Sequence, residues 1–108
     1  GLPEFQSVAL GKHAVVLNCS GYKGWATEEN SVLIEPKGKQ TAEDGVFFVN
    51  NSSWNQGQIY EIDEDDFISG CEEVIKRVKA EKVNAEGQKL KEDFTYSKML
   101  DSILEELK

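Results

Sequence analysis

The run Ala14-Val15-Val16-Leu17 constrains this chain more than any other feature of its sequence. It is continuously apolar with a β-branched centre, the pattern of a strand covered on both faces, and such strands belong to parallel sheets flanked by helices. The flanks agree. Upstream, Phe5, Val8, Ala9 and Leu10 fall at helical spacing within Glu4 to Leu10, with Pro3 suited to a first turn and Gly11 to a stop. Downstream, Asn18 to Asn30 is polar and Gly-containing, and it carries Tyr22 and Trp25. A loop at the carboxyl end of a parallel strand is where open α/β sheets bind ligands.

Ser31-Val32-Leu33-Ile34-Glu35, closed by Pro36, predicts a second strand. Residues 37–45 read as loop, and Val46 to Val49 with Ile59 to Ile62 as two further extended segments around a connection from Asn50 to Gln58. The remainder reads as helix. Asp63 is suited to an N-cap with Asp66 three residues on, and Phe67, Cys71, Val74, Ile75 and Val78 form an apolar stripe of about four turns. A short piece from Ala85 to Glu92 leads to Thr95, after which Tyr96, Met99, Leu100, Ile103, Leu104 and Leu107 predict a final helix with one buried face. The expected fold is one α/β domain spanning 1–108, with a small parallel sheet and flanking helices.

Charge limits the partners. The formal net charge is −8, and residues 61–108 carry fourteen of the 20 acidic side chains. A nucleic acid or an anionic membrane surface would need a clustered basic patch that this chain lacks. No apolar run approaches the roughly 18 residues of a membrane span, and the N-terminus lacks the basic-then-apolar order of a signal peptide. A cytoplasmic protein is expected. The two cysteines, Cys19 and Cys71, support neither a disulfide framework nor a zinc site, and the sequons at Asn18, Asn50 and Asn51 would matter only on secretion.

Chemistry-bearing groups are sparse. His13, the single histidine, has no carboxylate at ligand spacing and reads as structural. Cys71 lies on an apolar stripe, as a buried thiol does; Cys19 follows the first strand without a base beside it and reads as packing or loop. Glu61 to Asp66 lacks the glycine and terminal glutamate of a calcium loop and reads as helix capping. No glycine-rich nucleotide loop occurs. Two features do point to a ligand. Gly1-Leu2-Pro3 opens a helix whose free N–H groups favour an anion. The polar loops present Trp25 and Trp54, either to stack on a base or sugar or to plug the core.

Residues Gly1 to Lys12 (GLPEFQSVALGK) followed by Ala14-Val15-Val16 resemble the donor-site motif of GT-B-fold, group 1, retaining glycosyltransferases. There the pattern runs Glu-Gly-Phe-Gly-Leu-Pro, two residues, Glu-Ala-Met-Ala-x-Gly-x-Pro-Val-Val. Glu29 to Pro36 is similar to the Asn-Gly-x-Leu-Val-x-Pro strand of that class, and Asn55 to Gln58, Asp65-Asp66-Phe67 and Phe94 to Ser97 look like its tail. The resemblance covers nearly the whole chain. It implies a three-layer Rossmann-like half-domain, the C-terminal portion of a GT-B fold, from an enzyme that transfers a sugar from a nucleoside diphosphate sugar to an acceptor hydroxyl.

What the resemblance implies for residues is specific. Gly1, Leu2 and Pro3 would meet the diphosphate, with Pro3 unable to donate. Of the family's two donor-site glutamates, the first would fall upstream of Gly1. Gln6 stands at the second and can hydrogen-bond ribose hydroxyls without its charge. Apart from the resemblance, the polar loop after the first strand adds Ser20, Gly21 and Trp25 as candidate ligand contacts. His13 inherits no role. The resemblance implies no metal and no cofactor beyond the donor substrate, and no catalytic residue in these 108 positions. The glycine-rich loop, the basic pair at the leaving diphosphate and the N-terminal acceptor domain would lie outside, so the chain alone is expected to be inactive. The sheet edge exposed by missing strands invites self-association. The rival expectation is a self-contained, non-catalytic α/β module that binds a protein or small ligand through its polar loops.

Overall fold

The structure is a computed structural model that describes residues 1–49, 53–54 and 57–108. The chain begins with helix α1 (Leu2–Ala9), which has Pro3 in its first turn and ends where Gly11 takes φ +97°, a left-handed conformation that glycine adopts without strain. Strand β1 (Val15–Leu17) follows, then a short 3₁₀ helix (Ser20–Gly24) and strand β2 (Val32–Ile34). Strands β1 and β2 pair in parallel, Val15 opposite Val32 and Leu17 opposite Ile34. The parallel pair is therefore present, each strand trimmed by a residue or more from its apolar run. Strands β3 (Gly38–Thr41) and β4 (Gln58–Glu61) make a separate antiparallel ribbon. Helices α2 (Glu64–Ala80), α3 (Ala85–Gln88), α4 (Leu90–Asp93) and α5 (Tyr96–Glu106) complete the chain.

The cap expected at Asp63 forms, and Thr95 caps the last helix in the same way. The Asp63 carboxylate accepts the Asp66 N–H at 3.1 Å, and the Thr95 hydroxyl accepts the Lys98 N–H at 3.1 Å, so each helix starts where a short polar side chain satisfies an orphan donor. Helix α2 lies on the parallel pair through Gly70, where an added Cβ would stand 3.2 Å from both Ile34 Cδ1 and Val15 Cγ1. The absence of a side chain at Gly70 lets helix and sheet approach. Val8, Val16, Cys19, Val32, Ile34 and Leu90 are among the buried apolar residues.

Three side chains, Arg77, Asn84 and His13, tie distant elements together. Arg77 on α2 donates to the carbonyls of Ser31 at 3.0 Å and Glu28 at 2.9 Å, holding the approach to β2. Asn84 donates to the Lys12 carbonyl at 3.0 Å and the Asn30 carbonyl at 2.7 Å while its own oxygen accepts the Gly87 N–H. His13 Nε2 donates to the Glu81 carbonyl at 2.7 Å, which gives the lone histidine a structural task.

The region after β2 differs from its sequence reading. Residues expected as loop supply strand β3, which pairs with β4 in place of the apolar run Val46 to Val49. The reason is Asp44. Its Oδ1 accepts the N–H groups of Val46 and Phe47 at 2.8 Å and of Phe48 at 2.9 Å, curling that run into a turn that no ladder can use. Those backbone bonds, from Phe48 first and Val46 next, hold the Asp44 carboxyl below the usual carboxylate range. Of the connection from Asn50 to Gln58, Asn50, Asn51, Ser52, Asn55 and Gln56 lie outside the described residues, and with them two sequons and half of the Asn55 to Gln58 motif.

The helical stripes are where they were expected, but they are not buried. Phe67 is 49% exposed, Ile75 54%, and α5 buries none of its residues. The molecule is a slab of 47 × 46 × 19 Å with 8187 Å² of accessible surface, whereas a compact monomer of this mass exposes about 6,000 Å². Periodicity identifies an apolar face correctly; whether something covers that face is a property of the assembled structure. The sheets, two strands each, also fall short of a clear three-layer parallel arrangement. What the structure shows is a mixed α/β chain in which, among the described residues, no helix is long and apolar enough to cross a membrane.

Candidate functional site

A mostly apolar cleft of about 420 Å³ opens where the start of α1 meets the 3₁₀ turn that follows β1. Gly1, Leu2 and Phe5 line it from α1, Ser20, Gly21, Tyr22 and Trp25 from the turn, and Phe94 from the end of α4. Local sequence explains the wall. After Leu17 the chain must leave the strand, and Ser20 does so at φ +47°, a left-handed conformation that costs a non-glycine residue on the order of 1 kcal/mol. The turn closes with the Tyr22 N–H on the Cys19 carbonyl at 3.1 Å and the Ala26 N–H on the Tyr22 carbonyl at 2.8 Å. This aims Tyr22 and Trp25 back toward α1.

Four aromatic rings form the floor. Phe5 packs edge-on against Trp25 with centroids 5.4 Å apart and against Phe94 at 5.2 Å, and Tyr22 meets Trp25 at 6.1 Å. These are the favourable perpendicular geometries of aromatic pairs. Burial, then the nearby Glu4 carboxylate and Cys19, push the Tyr22 phenol up, so it stays neutral at physiological pH and can both donate and accept. Glu4 Oε2 is buried without a hydrogen-bond partner. Helix α1 has no side-chain cap on its first turn, which leaves N–H groups at the cleft end available to an anion. No lysine or arginine lines the cleft.

Five of the seven residues named from sequence meet here: Gly1, Leu2, Ser20, Gly21 and Trp25. Pro3 and Gln6 do not line it; both are exposed on α1. Gln6 follows Phe5 by about 100° round the helix, away from the direction Phe5 takes into the cleft. Trp54 is 72% exposed and is not part of the cleft. Sequence reasoning missed Phe5 and Phe94 as site residues, having read one as helix core and the other as tail. Their only signal was aromatic content at the ends of short helices, which does not distinguish packing from lining. Among the described residues no cluster of His, Cys, Asp and Glu is placed to hold a metal ion. In comparisons with family models, curated proteins and solved structures, none matched this chain.

Proposed function

We propose that this chain is the partial donor-binding lobe of a nucleotide-sugar-dependent glycosyltransferase, with the aromatic cleft as its donor contact. The observation that carries the reading is the convergence of the α1 start with the Ser20–Trp25 turn at the carboxyl end of β1. A ring system on Trp25 or Tyr22 suits a nucleobase or sugar face, and the uncapped N–H groups of α1 suit a diphosphate. The neutral Tyr22 hydroxyl and the Ser20 hydroxyl suit ligand hydroxyls. Gln6, exposed on α1, can reach a ribose only outside the cleft. The finer architecture goes with this reading: β1, β2 and α2 are part of a larger three-layer Rossmann-like domain, and the uncovered faces of α2 and α5 pack against the remainder of the enzyme, its acceptor domain included.

Among the described residues no lysine or arginine lines the cleft, so on this reading the cation that meets the leaving diphosphate comes from the rest of the enzyme. Affinity near the millimolar range, about 4 kcal/mol, is what a few uncharged contacts can supply. The test uses the two tryptophans. In a Trp54→Phe chain, Trp25 is the only indole; titration with UDP-glucose and GDP-mannose, excited at the red edge of the band, is expected to change its emission saturably for at least one of them. A flat response at millimolar ligand, or one equal to that given by free sugar, removes donor binding from the cleft.

A further inference from the structure

We propose a docking site distinct from the cleft: the outer edge of β2 takes an extended, basic peptide segment as an added strand. Val32 and Ile34 turn their backbone groups to β1, as the bond from the Val32 N–H to the Ala14 carbonyl at 2.9 Å and that from the Asn18 N–H to the Ile34 carbonyl at 2.8 Å require. Alternation then sends the Leu33 N–H and C=O to the opposite side, where among the described residues no strand pairs with β2. Unpaired edge groups are the template for strand addition.

The edge is not flat to solvent. It is one wall of a groove of about 360 Å³ whose other wall is α2, where Gly70 brings the helix close. The charge of that groove chooses the occupant. Glu35, Asp66 and Glu73 line it, and no basic residue does. Arg77, 3.6 Å from Glu73, has its two terminal nitrogens committed to the Ser31 and Glu28 carbonyls. Glu35 holds the Asn18 amide at 2.7 Å and, like Asp66, makes no ion pair among the described residues. A second copy pairing edge to edge would bring the same three carboxylates against these, on a chain of net charge −8. Lysine or arginine at alternate positions of an added strand would meet them. On this proposal a basic segment, not a second copy, takes the open edge.

The probe is a labelled Lys-Val-Lys-Val-Lys-Val peptide, read by anisotropy at low salt and by amide shifts, beside Glu-Val-Glu-Val-Glu-Val. The basic peptide is expected to bind, to shift Leu33 and Glu35, and to lose at least tenfold in affinity to the Asp66→Lys/Glu73→Lys chain. Both substitutions sit on exposed positions of α2, and circular dichroism checks that the helix is kept. Absence of binding, equal binding of the two peptides, unchanged affinity in the double variant, or shifts confined to residues outside 32–35 and 66–73 would overturn the proposal. So would a dimer in sedimentation that shifts Leu33 without peptide, which would give the edge to a second copy.

Discussion

Asn84→Ala is expected to lower stability by roughly 3 kcal/mol, seen as a thermal midpoint lower by on the order of 10 °C. Asn84 is 4% exposed and stands between three parts of the chain that are distant in sequence. Its amide nitrogen serves the Lys12 and Asn30 carbonyls, and its oxygen caps α3 through the Gly87 N–H at 3.0 Å. Alanine removes all three bonds and leaves two carbonyls and an N–H without replacement donors or acceptors, each costing about 1 kcal/mol or more where water cannot enter. Against a total of about 5–15 kcal/mol for a domain of this kind, that is a large share. Asn84→Asp separates the contributions: it keeps the cap acceptor but sets a carboxylate against two carbonyl oxygens, and a loss at least as large as that of alanine is expected. A midpoint within 2 °C of the parent, about half a kcal/mol or less, for Asn84→Ala would show that the contact is not structural.

Gly87→Ala should cost about as much, by the opposite mechanism. A Cβ at Gly87 would overlap the Val8 carbonyl oxygen and stand 2.7 Å from Val8 Cγ1 and 2.8 Å from Asn84 Nδ2. Val8 is fully buried and its carbonyl belongs to the end of α1, accepting the Gly11 N–H at 2.9 Å. The neighbour that must yield is therefore backbone, and overpacking of that kind costs typically 1–3 kcal/mol and occasionally more. Intrinsic helix propensity argues the other way, since alanine is worth nearly 1 kcal/mol over glycine in a helix interior. Urea unfolding decides between them. A midpoint raised or unchanged would mean that α1 and α3 can part without penalty; Gly21→Ala, where no atom lies within 4 Å of the added Cβ, is the matched control.

The elements that sequence made legible are those in which local chemistry and tertiary structure ask for the same thing. The apolar run around Val15 and Val16, the cap at Asp63 and the glycine stop at Gly11 each satisfy a backbone need visible within a few residues. Val46 to Val49 shows the limit. Its β-branched and aromatic content favours a strand, yet one upstream carboxylate, Asp44, takes three of its N–H groups and a less apolar segment joins the ribbon instead. The site divides along the same line. Gly1, Leu2, Ser20, Gly21 and Trp25 come together in the cleft because they lie at a helix start and in the turn after a strand. Phe94, some seventy residues beyond Trp25, enters only because α4 packs back on α1. Gln6 is assigned through resemblance alone, and it does not line the cleft.

The most direct measurement of the donor-lobe reading is a backbone amide titration of the intact chain with UDP-glucose and GDP-mannose, repeated with Trp25→Ala. One donor is expected to shift Leu2, Ser20, Gly21, Tyr22 and Phe94 together on a single millimolar curve that Trp25→Ala flattens while the β1–β2 and α2 resonances stay in place. Shifts that leave this set untouched, or a curve unchanged by Trp25→Ala, would contradict it.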